Sequence, residues 1–63
     1  MDYEELSTKW ALEIESILQE KYGITPIRED LQEWLEAIAV TENEDAEQLA
    51  IEYMEDTMNA LLV

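Results

Sequence analysis

The sequence predicts an all-α protein, a compact three-helix bundle. Apolar residues recur at spacings of three and four along nearly the whole chain, which is the pattern of amphipathic helices. Residues of the hydrophobic class make up 48% of the chain, a share that separates it from disordered acidic tails. A chain of 63 residues holds one domain, 1–63. Two breaks in the periodic pattern divide it into helices near 2–22, 26–39 and 43–62.

The first predicted helix, 2–22, carries one continuous apolar face. Acidic residues in its first turn and Lys21 in its last turn complement the helix dipole. Gly23 follows at the position that favours a left-handed backbone, so we expect the helix to end there. Leu12 lies off the apolar face and is expected to be exposed. The apolar face consists of Tyr3, Leu6, Trp10, Ala11, Ile14, Ile17, Leu18 and Tyr22.

The second predicted helix, 26–39, begins at the Thr25-Pro26 pair. Threonine is a good N-cap, and proline is favoured at the first helical position, where no hydrogen-bond donor is needed. We expect the two tryptophans of the chain, Trp10 and Trp34, to be buried. The apolar stripe of this helix consists of Ile27, Leu31, Trp34, Leu35 and Ile38.

The third predicted helix, 43–62, follows a capping-box pattern formed by Thr41 and Glu44, with Asn43 as an alternative cap. Its apolar arc is wider than one packing partner needs. Either this helix lies between the other two, or part of it packs against another chain. One stripe of the arc consists of Ala46, Leu49, Ala50, Tyr53, Thr57, Ala60 and Leu61. The second consists of Ile51, Met58 and Leu62, with Met54 between the two stripes.

Composition excludes several classes of function. The chain has no cysteine and no histidine, so it lacks a thiolate nucleophile, a disulfide framework and the commonest general base. No segment matches a calcium-binding loop. An acid–base pair needs a pocket of about 300 Å³ or more, for which we expect no room in so short a chain. We therefore predict a non-enzymatic protein with no catalytic residue, no metal site and no cofactor.

The net charge of −14 points away from nucleic acid as a direct ligand, because phosphates would repel the protein. The chain has no apolar run near 18 residues, so we expect neither a membrane span nor a membrane partner. Its first residues lack the basic flank and apolar stretch of a signal peptide. The sequence predicts a cytosolic protein.

The acidic residues are arranged in rows on the second and third predicted helices. Carboxylates one helical turn apart are about 5–6 Å from one another, similar to the spacing of phosphates along a nucleic-acid strand. Such rows predict a surface that meets a basic, nucleic-acid-binding protein. The candidate partner-binding residues are Glu29, Asp30, Glu33 and Glu36 on the second helix, and Asp45, Glu52, Glu55 and Asp56 on the third.

In size, acidity and absence of cysteine the chain resembles phage-encoded inhibitors of host defence, such as anti-restriction and anti-CRISPR proteins. This resemblance is one of composition, and no motif carries it. It implies an inhibitor that occupies the basic groove of a nucleic-acid-binding protein as a DNA mimic.

The alternative is an adaptor, antitoxin or assembly subunit in which the acids serve solubility only. Binding or homodimerisation would then use the stripe of Ile51, Met58 and Leu62 on the third helix. A core of this size would gain from oligomerisation. The sequence leaves both alternatives open, as it does the choice between monomer and homodimer.

Overall fold

Three helices make up the chain in the computed structural model, which describes residues 3–62 and the side chains of residues 4–59. Helix α1 spans Tyr3–Tyr22, α2 spans Arg28–Ala37 and α3 spans Ala46–Leu62. The described residues contain no β-strand. The predicted all-α three-helix fold is confirmed, and α1 has the predicted C-terminal boundary.

Helix α1 lies at the centre of the bundle. It packs against both α2 and α3, which approach each other much less closely. It also supplies half of the buried apolar side chains of the described residues. Of the two alternatives for the wide apolar arc of the third helix, a position between the other two helices is therefore wrong, and packing against another chain stays a prediction. The core consists of Leu6, Trp10, Ala11, Ile14 and Leu18 of α1, Leu31 and Leu35 of α2, Val40 of the connection, and Leu49 and Ala50 of α3.

Helices α1 and α2 run antiparallel, as the short connection between them predicts. Gln32 Nε2 donates a hydrogen bond of 2.8 Å to Thr8 Oγ1. Nearer the connection, Arg28 Nη2 donates to Glu15 Oε1 at 3.0 Å. Because the later position on α1 meets the earlier position on α2, the two chain directions are opposite. This register decides which side chains of α1 lie beside the acidic face of α2.

The connection between α1 and α2 begins as predicted and ends later than predicted. Gly23 has a φ of +64° and ends α1. Helix α2 then starts at Arg28, with Ile27 as an extended N-cap that makes no side-chain capping bond. The prediction of Thr25 as the cap, with a helix from residue 26, is wrong. Pro26 fixes a φ that suits extended backbone as well as helix, and the chain needs these residues to reverse its direction.

Helix α2 ends in a Schellman motif at Ala37, two residues before the predicted end. The Ala39 N–H bonds to the carbonyl of Glu36 at 3.1 Å, and the Val40 N–H bonds to that of Leu35 at 3.2 Å. Ala39 itself has a φ of +56°, the left-handed conformation that this motif requires. Val40 and Leu35 are both buried, so the apolar contact that accompanies such motifs is present.

Helix α3 begins at Ala46 and not at residue 43 as predicted. Its cap is Asp45, whose Oδ1 accepts a 3.0 Å hydrogen bond from the Glu47 N–H. Thr41 Oγ1 instead donates to the Glu44 side chain at 3.0 Å, so the expected capping box does not form. Trp10 Nε1 donates to the Thr41 carbonyl at 2.9 Å and holds the connection against α1. The helix therefore starts only after this tethered segment.

The apolar faces are buried at their centres and exposed at their ends. Trp10 is buried and Leu12 is exposed, as predicted, whereas Trp34 is only half-buried. Several residues predicted on apolar faces are exposed because they lie at helix ends or beyond the neighbouring helix: Tyr22, Ile27, Ile38 and Thr57. The predictions for the side chains of Tyr3, Ala60, Leu61 and Leu62 lie outside the described residues.

Candidate functional site

An acidic groove opens between the N-terminal part of α1 and the outer face of α2. Its volume is about 230 Å³. The spacing of Glu29, Glu33 and Glu36 places the three carboxylates on one face of α2. The lining residues are Glu4, Glu29, Gln32, Glu33 and Glu36. The structure thus brings together three of the candidate residues predicted on α2.

Two residues of the groove lining, Glu4 and Gln32, were not predicted from the sequence, and Glu4 is the acidic one. It lies on α1, and the hydrogen bond between Thr8 and Gln32 holds its part of α1 against the middle of α2. The Glu4 carbonyl accepts hydrogen bonds from the hydroxyls of Ser7 and Thr8 at 3.0 and 2.9 Å. No local pattern marks Glu4, because its place in the groove depends on the register between the two helices.

The groove side of α2 is distinct from its α3-facing side. Gln32 contacts α1, whereas Trp34 Nε1 donates a 2.7 Å hydrogen bond to Asp56 Oδ2 of α3. Two residues along a helix correspond to a rotation of roughly 200°, so these contacts point in nearly opposite directions. Asp30 lies one turn before Trp34 and does not line the groove. The eight predicted residues therefore do not form one continuous row.

The acidic residues predicted on the third helix have differing roles. Asp45, Glu52, Glu55 and Asp56 are all exposed. Asp45 caps α3, and Asp56 anchors the indole of Trp34. These two carboxylates therefore help to hold the fold, a role that the charge pattern did not indicate.

None of the three basic residues of the chain is among the residues that line the acidic groove. Arg28 forms a two-pronged ion pair with Glu15, with N–O distances of 3.0 and 3.3 Å, and this hydrogen bonding raises the pKa of Arg28. Lys21 donates to Glu47, which raises the pKa of Lys21. The Lys9 ammonium lies 5.1 Å from the centre of the Trp10 ring.

The predicted apolar stripe of α3 is exposed where the structure describes it. Met58 has 60% of its surface accessible and Ile51 has 36%, whereas the Leu62 side chain lies outside the described residues. Met58 borders an apolar depression of about 140 Å³. Its lining residues are Ile24, Tyr53, Met54, Thr57 and Met58. Ile24 comes from the connection after α1, and the periodicity of the helices gave no signal for it.

A second depression lies on the surface of α1. It has a volume of about 550 Å³ and is lined by Glu4, Glu5, Thr8, Lys9 and Leu12. All five residues lie on one face of α1, so the depression is an open surface and not an enclosed site.

Among residues 3–62, no group of three or more acidic side chains is placed to hold a metal ion. Over the same part of the chain, no helix combines the length and the apolar character that crossing a bilayer requires.

Comparisons with known proteins found no similarity that identifies the chain. No family model matches it, no curated protein matches its sequence, and no solved structure matches its fold. The function of this chain must therefore be inferred from its residues and their geometry.

Proposed function

We propose that this protein is a non-enzymatic inhibitor that binds the basic, nucleic-acid-binding surface of a partner protein. The observation that carries the proposal is the acidic groove. Four carboxylates from two helices, those of Glu4, Glu29, Glu33 and Glu36, line it together, and no basic residue of the chain does. The proposed place of action is the cytosol.

The energetics of the groove favour a cationic ligand. Like charges one helical turn apart destabilise a helix by a few tenths of a kcal/mol per pair. Glu29 and Glu33 have such spacing, and both are exposed in the groove. Lysine and arginine side chains of a partner would relieve the repulsion between them. The field of a chain with a net charge of −14 would also speed the encounter.

The nucleic-acid-mimic part of the proposal is supported by spacing and charge. A partner that grips phosphates with lysine and arginine would accept carboxylates at similar intervals. Asp30, Glu52 and Glu55 extend the negative surface beyond the groove. Asp45 and Asp56 add charge to it as well as holding the fold. Phage counter-defence proteins of the anti-CRISPR or anti-restriction type are the functional class that this proposal implies.

A pair of charge-reversal variants tests the proposal. Glu29→Lys with Glu33→Lys alters the groove, whereas Glu13→Lys with Glu20→Lys alters exposed acids of α1 outside it. Both double variants have a net charge of −10, since each adds four units to −14. If only the groove variant loses affinity, the loss is due to the position of the substituted residues and not to the change in net charge.

The measurement uses a partner captured from lysate of the source cells and identified by mass spectrometry. We expect a nucleic-acid-binding protein that a DNA or RNA duplex displaces from the wild-type chain. Affinity should fall at least tenfold between about 50 and 300 mM salt, and at least tenfold in the groove variant. Affinity that is independent of salt, or equal losses in the two double variants, would contradict the proposal.

The second candidate function is an adaptor, antitoxin or assembly subunit that binds through the apolar stripe of α3. The exposure of Met58 and Ile51 favours it. In that case Ile51→Glu would abolish the complex, whereas the groove variant would bind as the wild type does. Sedimentation at low and high salt separates homodimerisation from binding of another protein.

A further inference from the structure

The apolar depression on α3 is a second surface feature, separate from the acidic groove. Its volume of about 140 Å³ is close to that of an apolar cavity that holds one benzene molecule. It can therefore hold one apolar side chain. Ile24 and Met58 at the depression are 41% and 60% exposed. Tyr53 is held from behind by an edge-to-face contact with Trp34, at 5.3 Å between ring centres.

An exposed carboxylate lies beside the depression. Glu55 follows Ile51 by four residues and precedes the lining residue Met58 by three, so it lies on the same side of α3 as both. Asp56 accepts the hydrogen bond of Trp34 Nε1 and therefore lies on the side of α3 that faces α2. The basic residue that contacts α3, Lys21, is already paired with Glu47. A ligand for this depression would thus combine an apolar tip with positive flanks.

We infer that the depression receives an apolar side chain from a basic amphipathic helix of the partner protein. This inference rests on the proposed function, and it adds a short-range apolar anchor to the long-range attraction of the acidic groove. Buried apolar anchors seated in pockets dominate the affinity of many interfaces, whereas charges at the rim act mainly on the association rate.

A second copy of the chain fits the depression less well than a basic helix does. A symmetric dimer would carry twice −14, or −28, and would bring the same acidic rim against itself. A standard interface covers about 800 Å² per partner, roughly a fifth of the 4343 Å² surface of the described chain. Among the described residues that line the depression, the exposed large apolar side chains are Ile24 and Met58, which are too few to fill such an area.

Two synthetic peptides test the inference. The first is a 14-residue amphipathic peptide of lysine and leucine, and the second has every leucine replaced by alanine at the same charge. Fluorescence anisotropy gives the affinities, and methyl chemical shifts locate the contact. We expect the leucine peptide to bind at least tenfold more tightly and to shift the methyl signals of Ile24, Met54 and Met58.

The variants Met58→Gln and Ile24→Gln should each remove most of that tenfold gain. Leu12→Gln is the matched control, because Leu12 is an exposed leucine on another helix and lies outside the depression. Glutamine is a good helix former, so Met58→Gln should keep its helical circular dichroism. A tenfold gain that survives in both depression variants would contradict the inference.

Three other outcomes would also contradict it and have separate consequences. Equal affinities of the two peptides, with shifts confined to the acidic groove, would overturn the apolar anchor and leave the proposed function standing. Concentration-dependent shifts of Met58 without peptide, together with a dimer in sedimentation, would assign the depression to a second copy of the chain. Failure of both peptides to bind at about 50 mM salt would count against the proposed function as well.

Discussion

Replacement of Ala39 by glycine should stabilise the protein, because this residue ends α2 in a conformation that side chains disfavour. Its φ of +56° meets the requirement of the Schellman motif, which glycine satisfies without strain. Ala39 is exposed, so the loss of its methyl group removes little packing. The substitution thus isolates the cost of a left-handed backbone.

The expected gain follows from two opposing effects. A left-handed conformation costs an L-residue about 1–2 kcal/mol, and glycine avoids that cost. Glycine also increases the conformational entropy of the unfolded chain, which reduces the gain in stability by about 0.4–1 kcal/mol. The net gain for Ala39→Gly is about 0.5–1 kcal/mol. For a domain of this size, such a gain raises the Tm by roughly 4–8 °C.

Urea unfolding followed by helical circular dichroism measures this gain as a shift of the midpoint at constant slope. Ala37→Gly is the control, because Ala37 is also exposed and lies in the last turn of α2 with ordinary helical backbone. That variant should lose about 0.5–1 kcal/mol. If both variants were destabilised alike, Ala39 would not adopt the left-handed conformation in solution, and the reasoning would be refuted.

Other predictions concern the first cap, the tryptophan tether, salt and one ion pair. Gly23→Ala should cost about 1 kcal/mol in urea unfolding, from its φ of +64° alone, since nothing lies within 4 Å of an added Cβ. Trp10→Phe should lower the free energy of unfolding by about 1–3 kcal/mol in the same assay, because the Thr41 carbonyl loses its hydrogen-bond donor. A loss no greater than that of the control Leu12→Ala would contradict this prediction. Raising NaCl from about 50 to 500 mM should increase stability by on the order of 1 kcal/mol as repulsion is screened, and a lower Tm at high salt would count against it. Glu47→Gln should lower the pKa of Lys21 towards its ordinary value, as measured by NMR titration. In the wild type, the Lys21–Glu47 pair stabilises the fold at pH values below the pKa of lysine in the unfolded chain. This contribution is lost as the pH rises through the raised pKa of Lys21 in the folded protein.

The sequence predicts the number of helices and the end of α1 because their signals are local. Apolar periodicity marks each helix, and Gly23 marks the first C-cap. The end of α2 could not be predicted because the left-handed position that follows it is occupied by an alanine, Ala39, and not by the glycine that usually marks such an end. The predicted start of α3 was too early because several good caps follow one another in the sequence. The cap that the structure uses is Asp45, which follows the segment that Trp10 holds at Thr41.

The candidate surfaces could be predicted only in part for a similar reason. Spacing alone places Glu29 and Glu33 on one face of α2, and the groove confirms that placement. Glu4 lines the acidic groove and Ile24 lines the apolar depression because segments distant in sequence contact each other. Such contacts depend on helix register and on the path of a connection, neither of which has a local signature.

The central position of α1 also determines how the bundle can open. Because α2 and α3 each pack on α1 and approach each other much less closely, release of either outer helix can leave the other packed on α1. Amide hydrogens in the middle of α1 should therefore exchange last. The acidic groove depends on the packing of α2 against α1. The apolar depression belongs largely to α3, so a partner helix that seats there should slow the exchange of α3 most.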